Sequence, residues 1–271
     1  MLAGILVTLR EGMEAFLIVG ILLGYLRRMG AEQFRGYVWF GTIGAVLLSI
    51  GLAIVLQSFA LELEGHSAHT FEIVVALIAV IVLSWMVIWM QRQAKTIKGD
   101  LEAKAQAAVT NHQLYALGGL AFVSVLREGL ETTLFLGALL GPAGKTGLLP
   151  GAFIGLFLAA ILAYLVFKAL IKVNFRIFFI STGFLLILIA SGLLAHTVMA
   201  FREMGTVPGI WGEVVWNTNS IIDDEGPLGR LLHAFVGYDG DPALLEVIFY
   251  FGYLLLFGGW FLRAVRKPAG A

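Results

Sequence analysis

The sequence predicts an all-α integral membrane protein with seven transmembrane helices, arranged as a 3+3 inverted repeat followed by one C-terminal helix. Composition, a series of long apolar stretches and an internal duplication together predict this fold. Apolar residues make up 59% of the 271 positions and charged residues 13%, about half of the roughly 25% that is typical of a soluble domain. The 33 glycines favour close approach between helices in a membrane.

The apolar stretches are each long enough to cross a bilayer, because a hydrocarbon layer about 30 Å thick needs roughly 20 helical residues. Seven such stretches are found, at about 4–26, 36–59, 70–90, 116–140, 150–170, 177–199 and 243–263. Of the 18 Lys and Arg residues, 13 fall in the connections 1–2, 3–4 and 5–6 and in the C-terminal tail. The positive-inside rule therefore predicts that the N-terminus is outside and the C-terminus cytoplasmic.

The order of these stretches predicts five segments. They are a first three-helix repeat (1–90), a cytoplasmic linker helix (91–115), a second, inverted three-helix repeat (116–199), an extracytoplasmic loop or cap (200–242), and a seventh helix with a cytoplasmic tail (243–271). The loop is rich in Asp and Glu, which would concentrate cations at the outer face. Lys+Arg and Asp+Glu are equal at 18 each, so nothing in the charge balance points to nucleic acid. The chain has no cysteine, which excludes disulfides and thiolate metal sites.

The duplication is visible directly in the sequence. Residues 9–24 read LREGMEAFLIVGILLG and residues 126–141 read LREGLETTLFLGALLG, with ten of sixteen positions identical. Each copy begins a unit of three spans. Because three is an odd number, the second unit enters the membrane from the opposite side, as in secondary transporters whose substrate site lies at the repeat interface.

The duplicated motif places six charged residues inside apolar spans: Arg10, Glu11, Glu14, Arg127, Glu128 and Glu131. Translocon scales assign roughly 2.5–3.5 kcal/mol to each charged side chain at mid-helix, so these residues must be partnered. Arg at position i and Glu at i+4 share a helical face and can form an ion pair. The small Gly12 and Gly129 allow a facing helix to approach or the helix to unwind locally.

Each motif carries one positive and two negative charges, so the pair has a net charge of −2. An oxygen-only, net-negative site suits hard cations such as Mg²⁺, Ca²⁺, Mn²⁺ or ferric iron. Two alternatives remain open at this point. The charged pairs could hold helices together, or burial could protonate a surplus glutamate and make it a proton carrier.

Several other polar residues were assigned simpler roles. Glu62, Glu64, His66 and His69 form a loop between spans 2 and 3 that could capture metal at the surface or remain solvated. His112 and His233 are interpreted as ordinary loop histidines. The tryptophans at 85, 89 and 260 are interpreted as interfacial anchors.

The doubled Arg-Glu-Gly-x-Glu motif within seven spans closely resembles the oxidase-dependent iron permease family, which comprises fungal high-affinity iron permeases and bacterial EfeU-type proteins. Weaker points of similarity are scattered through the rest of the chain. They are Phe71-Glu72, Trp85-Met86, Trp89-Met90, Gly192-Leu193-Leu194 with His196, Glu203, Gly237-Tyr238, Pro242 and Glu246.

This resemblance implies an iron permease without catalytic turnover and without a resident cofactor, in which iron is the transported substrate. Ferrous iron would be oxidised by an extracytoplasmic oxidase or iron-delivery protein, and ferric iron passed to the permease. Glu11, Glu14, Glu128 and Glu131 would then coordinate iron, and Arg10 and Arg127 would balance their charge.

The resemblance also implies an outer route for iron. Met199 and Arg202 occupy a stretch that is often acidic or histidine-bearing in the family, which reduces the expected outer site to His196 and Glu203. Glu72 would relay iron inward, or else cap its helix N-terminus.

Two further functions stay open from the sequence. A proton-coupled transporter of Mn²⁺, Mg²⁺ or Ca²⁺ would use the same architecture. An intramembrane metal oxidase would use His196, Glu203 and His233, although these residues lack a metal-binding spacing such as HExxH.

Overall fold

A computed structural model describes residues 1–62, 66–93, 97–110, 113–139, 145–168, 175–204, 211, 213–224 and 226–266, for some of them without the side chain. Within these ranges the chain is helical apart from short turns and the outer loop. The helices are α1 (Leu2–Arg28), α2 (Arg35–Glu62), α3 (His66–Gln93), α4 (Ile97–Thr110), α5 (Leu114–Leu139), α6 (Lys145–Phe167), α7 (Phe175–Glu203), α8 (Pro227–Val236), α9 (Leu244–Tyr253) and α10 (Gly259–Arg266). A π-helical turn, Leu254–Gly258, joins α9 to α10.

The described residues of the seven apolar stretches are almost all helical, which confirms the all-helical prediction. Five segments within the described ranges are long and apolar enough to cross a membrane: Glu32–Phe59, Thr70–Met90, Gly147–Phe167, Ile177–Arg202 and Leu244–Val265. The structure is therefore that of a multi-pass membrane protein. Helices α1 and α5 have the length as well, but each carries the three charged residues of the motif within its apolar stretch.

The surface of the helical bundle is apolar. Phe40 on α2, Phe153 on α6 and Leu255 in the π-helical turn expose 82%, 73% and 76% of their surface. In water such a continuous apolar surface would drive aggregation, whereas lipid tails solvate it. These faces are therefore the lipid-facing sides of the helices.

Two helix pairs dominate the packing, α1 with α6 and α2 with α5. Along α1, Gly4, Gly12 and Gly20 approach Leu148, Ala159 and Phe167 of α6 in ascending order, so the two helices run in the same direction. Along α5, Gly118, Gly129 and Gly137 approach Gly41, Ser49 and Leu56 of α2 in the same way. Glycine is required at these points because a side chain would meet the neighbouring helix.

The other helices complete the bundle around these pairs. Helix α1 also packs on α5, and α3 packs on α7. The linker helix α4 was expected from the sequence and is present; its Leu101, Ala105 and Ala108 are buried against α1 and α5. Glu102 of α4 forms an ion pair with Arg28 at the end of α1. Helix α4 therefore joins the C-terminal end of α1 to the N-terminal end of α5.

The described part of the loop between α7 and α9 is folded. Val214 pairs with Ala243 in an isolated antiparallel bridge, and the N–H of Thr218 donates to the carbonyl oxygen of Gly240 at 2.7 Å. Helix α8 packs against α7 and α1.

Candidate metal centre

The charged motif of α1 is almost completely buried. The Arg10 side chain is 1% exposed and reaches two carboxylates, with Nη1 at 2.7 Å from Glu11 Oε1 and Nη2 at 3.0 Å from Glu14 Oε1. The i,i+4 ion pair predicted from the spacing is therefore present. Arg10 also pairs with Glu11, which the sequence argument did not foresee.

The motif of α5 forms the equivalent i,i+4 pair but is less enclosed. Arg127 Nε lies 2.8 Å from Glu131 Oε1, and the Arg127 side chain is 34% exposed. Among the ion pairs of the described residues, none joins an arginine to Glu128. The two copies thus differ, since Arg10 binds two carboxylates and Arg127 binds one.

Helix α3 holds both arginines. Arg10 donates to the sulfur of Met86 at 3.0 Å and to the sulfur of Met90. The guanidinium of Arg127 lies 3.9 Å from the ring centre of Trp89. A cation over an indole face in a desolvated site gains on the order of 2 kcal/mol. Trp89 was interpreted from the sequence as an interfacial anchor, but it is also the ring against which Arg127 packs.

Glu11, Glu128 and Glu131 come together from the two motifs. Each offers a carboxylate oxygen, and these three oxygens all lie within 4.8 Å of one another. All three residues are buried, and Oε2 of each has no hydrogen-bond partner within the described structure. Carboxylates at such spacing repel one another, and a buried oxygen without a hydrogen bond costs free energy, so a bound cation would relieve both penalties.

Glu14 stands beside this group of three. It is buried at 7% exposure and held by Arg10. The repeat predicts that Glu14 and Glu131 lie within bridging reach of one ion; both are buried, but Glu14 is not among the carboxylates that lie within 4.8 Å of one another. Glu11, rather than Glu14, is the residue of α1 that joins Glu128 and Glu131 in the group of three.

Among the described side chains, no candidate relay residue belongs to this group. Glu72 is half-buried near the start of α3, about 21 Å along the helix from Met86 at 1.5 Å per residue. His196 is half-buried on α7, and its ring centre lies 6.2 Å from that of His233. The side chains of Glu62, His66, His69 and Glu203, and the whole of Glu64, lie outside the described residues.

Two acidic features, one on α9 and one in the cap, were not predicted as paired groups from the sequence. Glu246 of α9 is 3% exposed and pairs with Arg202 of α7 at 3.3 Å. Asp224, Asp239 and Asp241 bring carboxylate oxygens within 4.8 Å of one another in the cap. Burial raises the pKa of Asp224, and the charges of the other two aspartates raise it further, while the N–H of Gly240 donates to it at 2.8 Å and opposes the shift. The acidic character of this loop was visible in the sequence, but its pairing was not.

Comparison with known proteins identifies relatives over nearly the whole chain. The profile described as "Iron permease FTR1 family" matches residues 1–265. The "Ferrous iron permease EfeU" of Escherichia coli O157:H7 is 34% identical over 257 residues, which cover 92% of this chain and 91% of that protein. The protein of the same name from Yersinia pestis is 31% identical over 271 residues, covering 98% and 95%. No solved structure matches. These names are those of permeases, in agreement with the expectation that the chain is a transporter and not an enzyme.

Proposed function

Because this chain belongs to the Iron permease FTR1 family, we propose that it imports iron across a plasma or bacterial inner membrane through the glutamates of its two repeated motifs. The observation that carries this proposal is the group formed by Glu11, Glu128 and Glu131, whose carboxylate oxygens lie within 4.8 Å of one another. Each of these residues is buried and has one oxygen without a hydrogen-bond partner. A cluster of hard oxygen ligands in the interior of a membrane protein is suited to a hard cation.

The ligands and their supports follow from the contacts. We assign Glu11, Glu14, Glu128 and Glu131 to iron and Arg10 and Arg127 to charge balance. With four carboxylates and two guanidiniums the centre has a net charge of −2, so one divalent ion would neutralise it. Glu14 forms an ion pair with Arg10, and its contribution as a ligand would require that pair to rearrange.

The proposed architecture is seven crossings in two inverted repeats, with the segment boundaries and orientation predicted from the sequence. Helix packing supports it, because equivalent contacts recur in both halves. The repeat, with its offset of 117 positions, makes Met1 equivalent to Gly118. Gly41 approaches Gly118, and Gly151 approaches Met1. Ser49 approaches Gly129, and Ala159 approaches Gly12. An inverted repeat is the arrangement that places two copies of one motif at a common site near the midplane.

The oxidation state of the imported iron separates two versions of this function. The family resemblance implies ferric iron delivered by an extracytoplasmic oxidase or iron-delivery protein. The names of the relatives from Escherichia coli and Yersinia pestis specify ferrous iron instead. In either version, the proposed outer relay residues are Glu72, His196, Glu203, Glu62 and Glu64.

The test is uptake of radioactive iron into proteoliposomes, supplied once as ferrous iron with ascorbate and once as ferric citrate. We expect Glu128→Gln and Glu131→Gln to abolish uptake. Glu102→Gln is the matched control, since Glu102 is paired on α4 away from the centre, and it should transport normally. Excess Ca²⁺ and Mn²⁺ are added as competitors. Normal uptake by both motif variants would mean that these glutamates have a structural role. Strong competition by Mn²⁺ would favour a general divalent-cation transporter.

A further inference from the structure

We infer that His196 and His233 form a second metal site, a two-histidine site for a divalent first-row ion on the outer side of the protein. This inference rests on the proposed iron import and extends it, because it names the form in which the metal arrives. Imidazole nitrogen suits ions such as Fe²⁺, whereas ferric iron prefers oxygen. His233 was interpreted from the sequence as an ordinary loop histidine.

The two rings are brought together by a contact between glycines. Gly192 of α7 and Gly237 at the end of α8 touch, since a Cβ on Gly192 would lie 2.6 Å from the Cα of Gly237. His196 lies one turn after Gly192, and His233 lies one turn before Gly237. The ring centres are consequently 6.2 Å apart, with the rings nearly perpendicular at 80°.

The end of α8 is shaped to make this approach possible. Gly237 has φ +65°, and its N–H donates to the carbonyl oxygen of His233 at 2.9 Å. A left-handed residue closing a helix in this way is commonly glycine, because a Cβ is disfavoured in that conformation. Here the lack of a Cβ serves the backbone turn and the contact with α7 at once.

The separation of the rings suits a shared ion. Imidazole nitrogen binds a divalent ion at about 2.1 Å, and the ring centre lies about 1.2 Å further, so two rings on one ion have centres at most about 6.6 Å apart. The observed 6.2 Å falls within this limit. The rings are nearly perpendicular and meet edge to face, so binding one ion requires that one ring, His196, rotate until both rings present a nitrogen to it.

The tautomer of His233 is the one that a metal ligand requires. Its Nδ1 lies 2.8 Å from the carbonyl oxygen of Tyr238. A carbonyl oxygen can only accept, so Nδ1 carries the proton, and the lone pair of the neutral ring is on Nε2. Metal-binding histidines almost always donate their other N–H to a carbonyl or carboxylate in this manner. Tyr238 is itself held, because its hydroxyl donates to the carbonyl oxygen of Ile222 at 3.1 Å.

The position of the pair connects the cap with the membrane interior. The carboxylate of Asp224 is close enough to His233 for their charges to interact, and Asp224 belongs to the acidic group of the cap. Helix α8 contacts α7 and also α1, the helix that carries Glu11. A cation attracted by the aspartates would thus meet two imidazoles before it reaches the glutamates.

The test counts imidazole ligands on Cu²⁺, used as a spectroscopic probe at one equivalent of purified protein. The other histidines are first removed in a background variant with His66→Ala, His69→Ala and His112→Ala. Pulsed electron paramagnetic resonance then detects the nitrogen of each bound imidazole, and the carboxylate centre gives no such signal. We expect two imidazoles in the background variant, and one after either His196→Ala or His233→Ala. The background variant keeps both His196 and His233, so fewer than two bound imidazoles in it would overturn the inference.

Uptake provides a second measurement. Loss of either histidine should raise the KM for Fe²⁺ about tenfold, within the range seen for weakened metal sites, while the maximal rate is retained. His112→Ala alone is the matched control and should leave the KM unchanged. An unchanged KM in both site variants would overturn the inference. If the background variant binds Cu²⁺ through two imidazoles but the wild-type protein imports no iron, the proposed function is overturned and the histidine site is retained.

Discussion

The two arginines of the duplicated motif offer a sharp comparison, because the same substitution can be made at equivalent positions in different surroundings. We predict that Arg10→Met destabilises the protein more than Arg127→Met. Methionine retains much of the length of the side chain and removes the charge. Arg10 is 1% exposed and binds Glu11 and Glu14, whereas Arg127 is 34% exposed and binds Glu131.

The size of the difference follows from burial. Removing one partner of a buried ion pair costs about 3–5 kcal/mol, because the other charge is left uncompensated. Arg10→Met leaves two such carboxylates and belongs at the upper end of that range. Exposed pairs contribute about 1 kcal/mol or less, so Arg127→Met should cost about 1–3 kcal/mol. We therefore expect a difference of about 2 kcal/mol.

Thermal unfolding in detergent, followed by size-exclusion chromatography of the heated protein, measures this difference. For a chain of this size, 1 kcal/mol corresponds to about 2–4 °C, so Arg10→Met should melt about 4–8 °C below Arg127→Met. Adding Glu14→Gln to Arg10→Met should recover part of the loss, since it removes one uncompensated charge. Equal melting temperatures, or a lower one for Arg127→Met, would refute the asymmetry between the two motifs.

Two further substitutions test the packing around the centre. Trp89→Leu should reduce iron uptake in proteoliposomes severalfold, because Arg127 loses a ring contact that is worth on the order of 2 kcal/mol; Trp85→Leu is the control, since Trp85 is 66% exposed, and a similar loss in both would contradict the role of the contact. Gly129→Ala should lower the melting temperature through a clash with α2 that costs about 1–3 kcal/mol, whereas Gly24→Ala should not, because nothing lies within 4 Å of its added Cβ.

The helices were predictable because the membrane imposes a length and an apolar composition on whatever crosses it. The burial of the motif glutamates also followed from the sequence, since each of them lies more than a turn inside an apolar stretch. The i,i+4 ion pairs were predictable because helix geometry fixes which residues share a face. These inferences depend on one helix at a time.

Contacts between helices were not predictable in the same way. The sequence of α3 does not indicate that Arg10 donates to Met86 and Met90, or that Arg127 packs on Trp89. Both contacts depend on which face of α3 is turned toward α1 and α5. The contact of His233 with His196 was not predictable for the same reason. It is set by the contact between Gly192 and Gly237, which lie 45 positions apart in the chain.

The repeat itself is misleading in one respect. A duplicated motif suggests equivalent roles for its two copies, but the copies have different neighbours. Arg10 binds both glutamates of its own motif, whereas among the described residues Arg127 binds Glu131 and forms no ion pair with Glu128. Glu128 is 4% exposed and lies with Glu11 and Glu131 in the group of three. Glu128 is therefore the glutamate of the centre that no described arginine pairs with, and in the iron centre proposed above it is the ligand that would gain most from a bound cation.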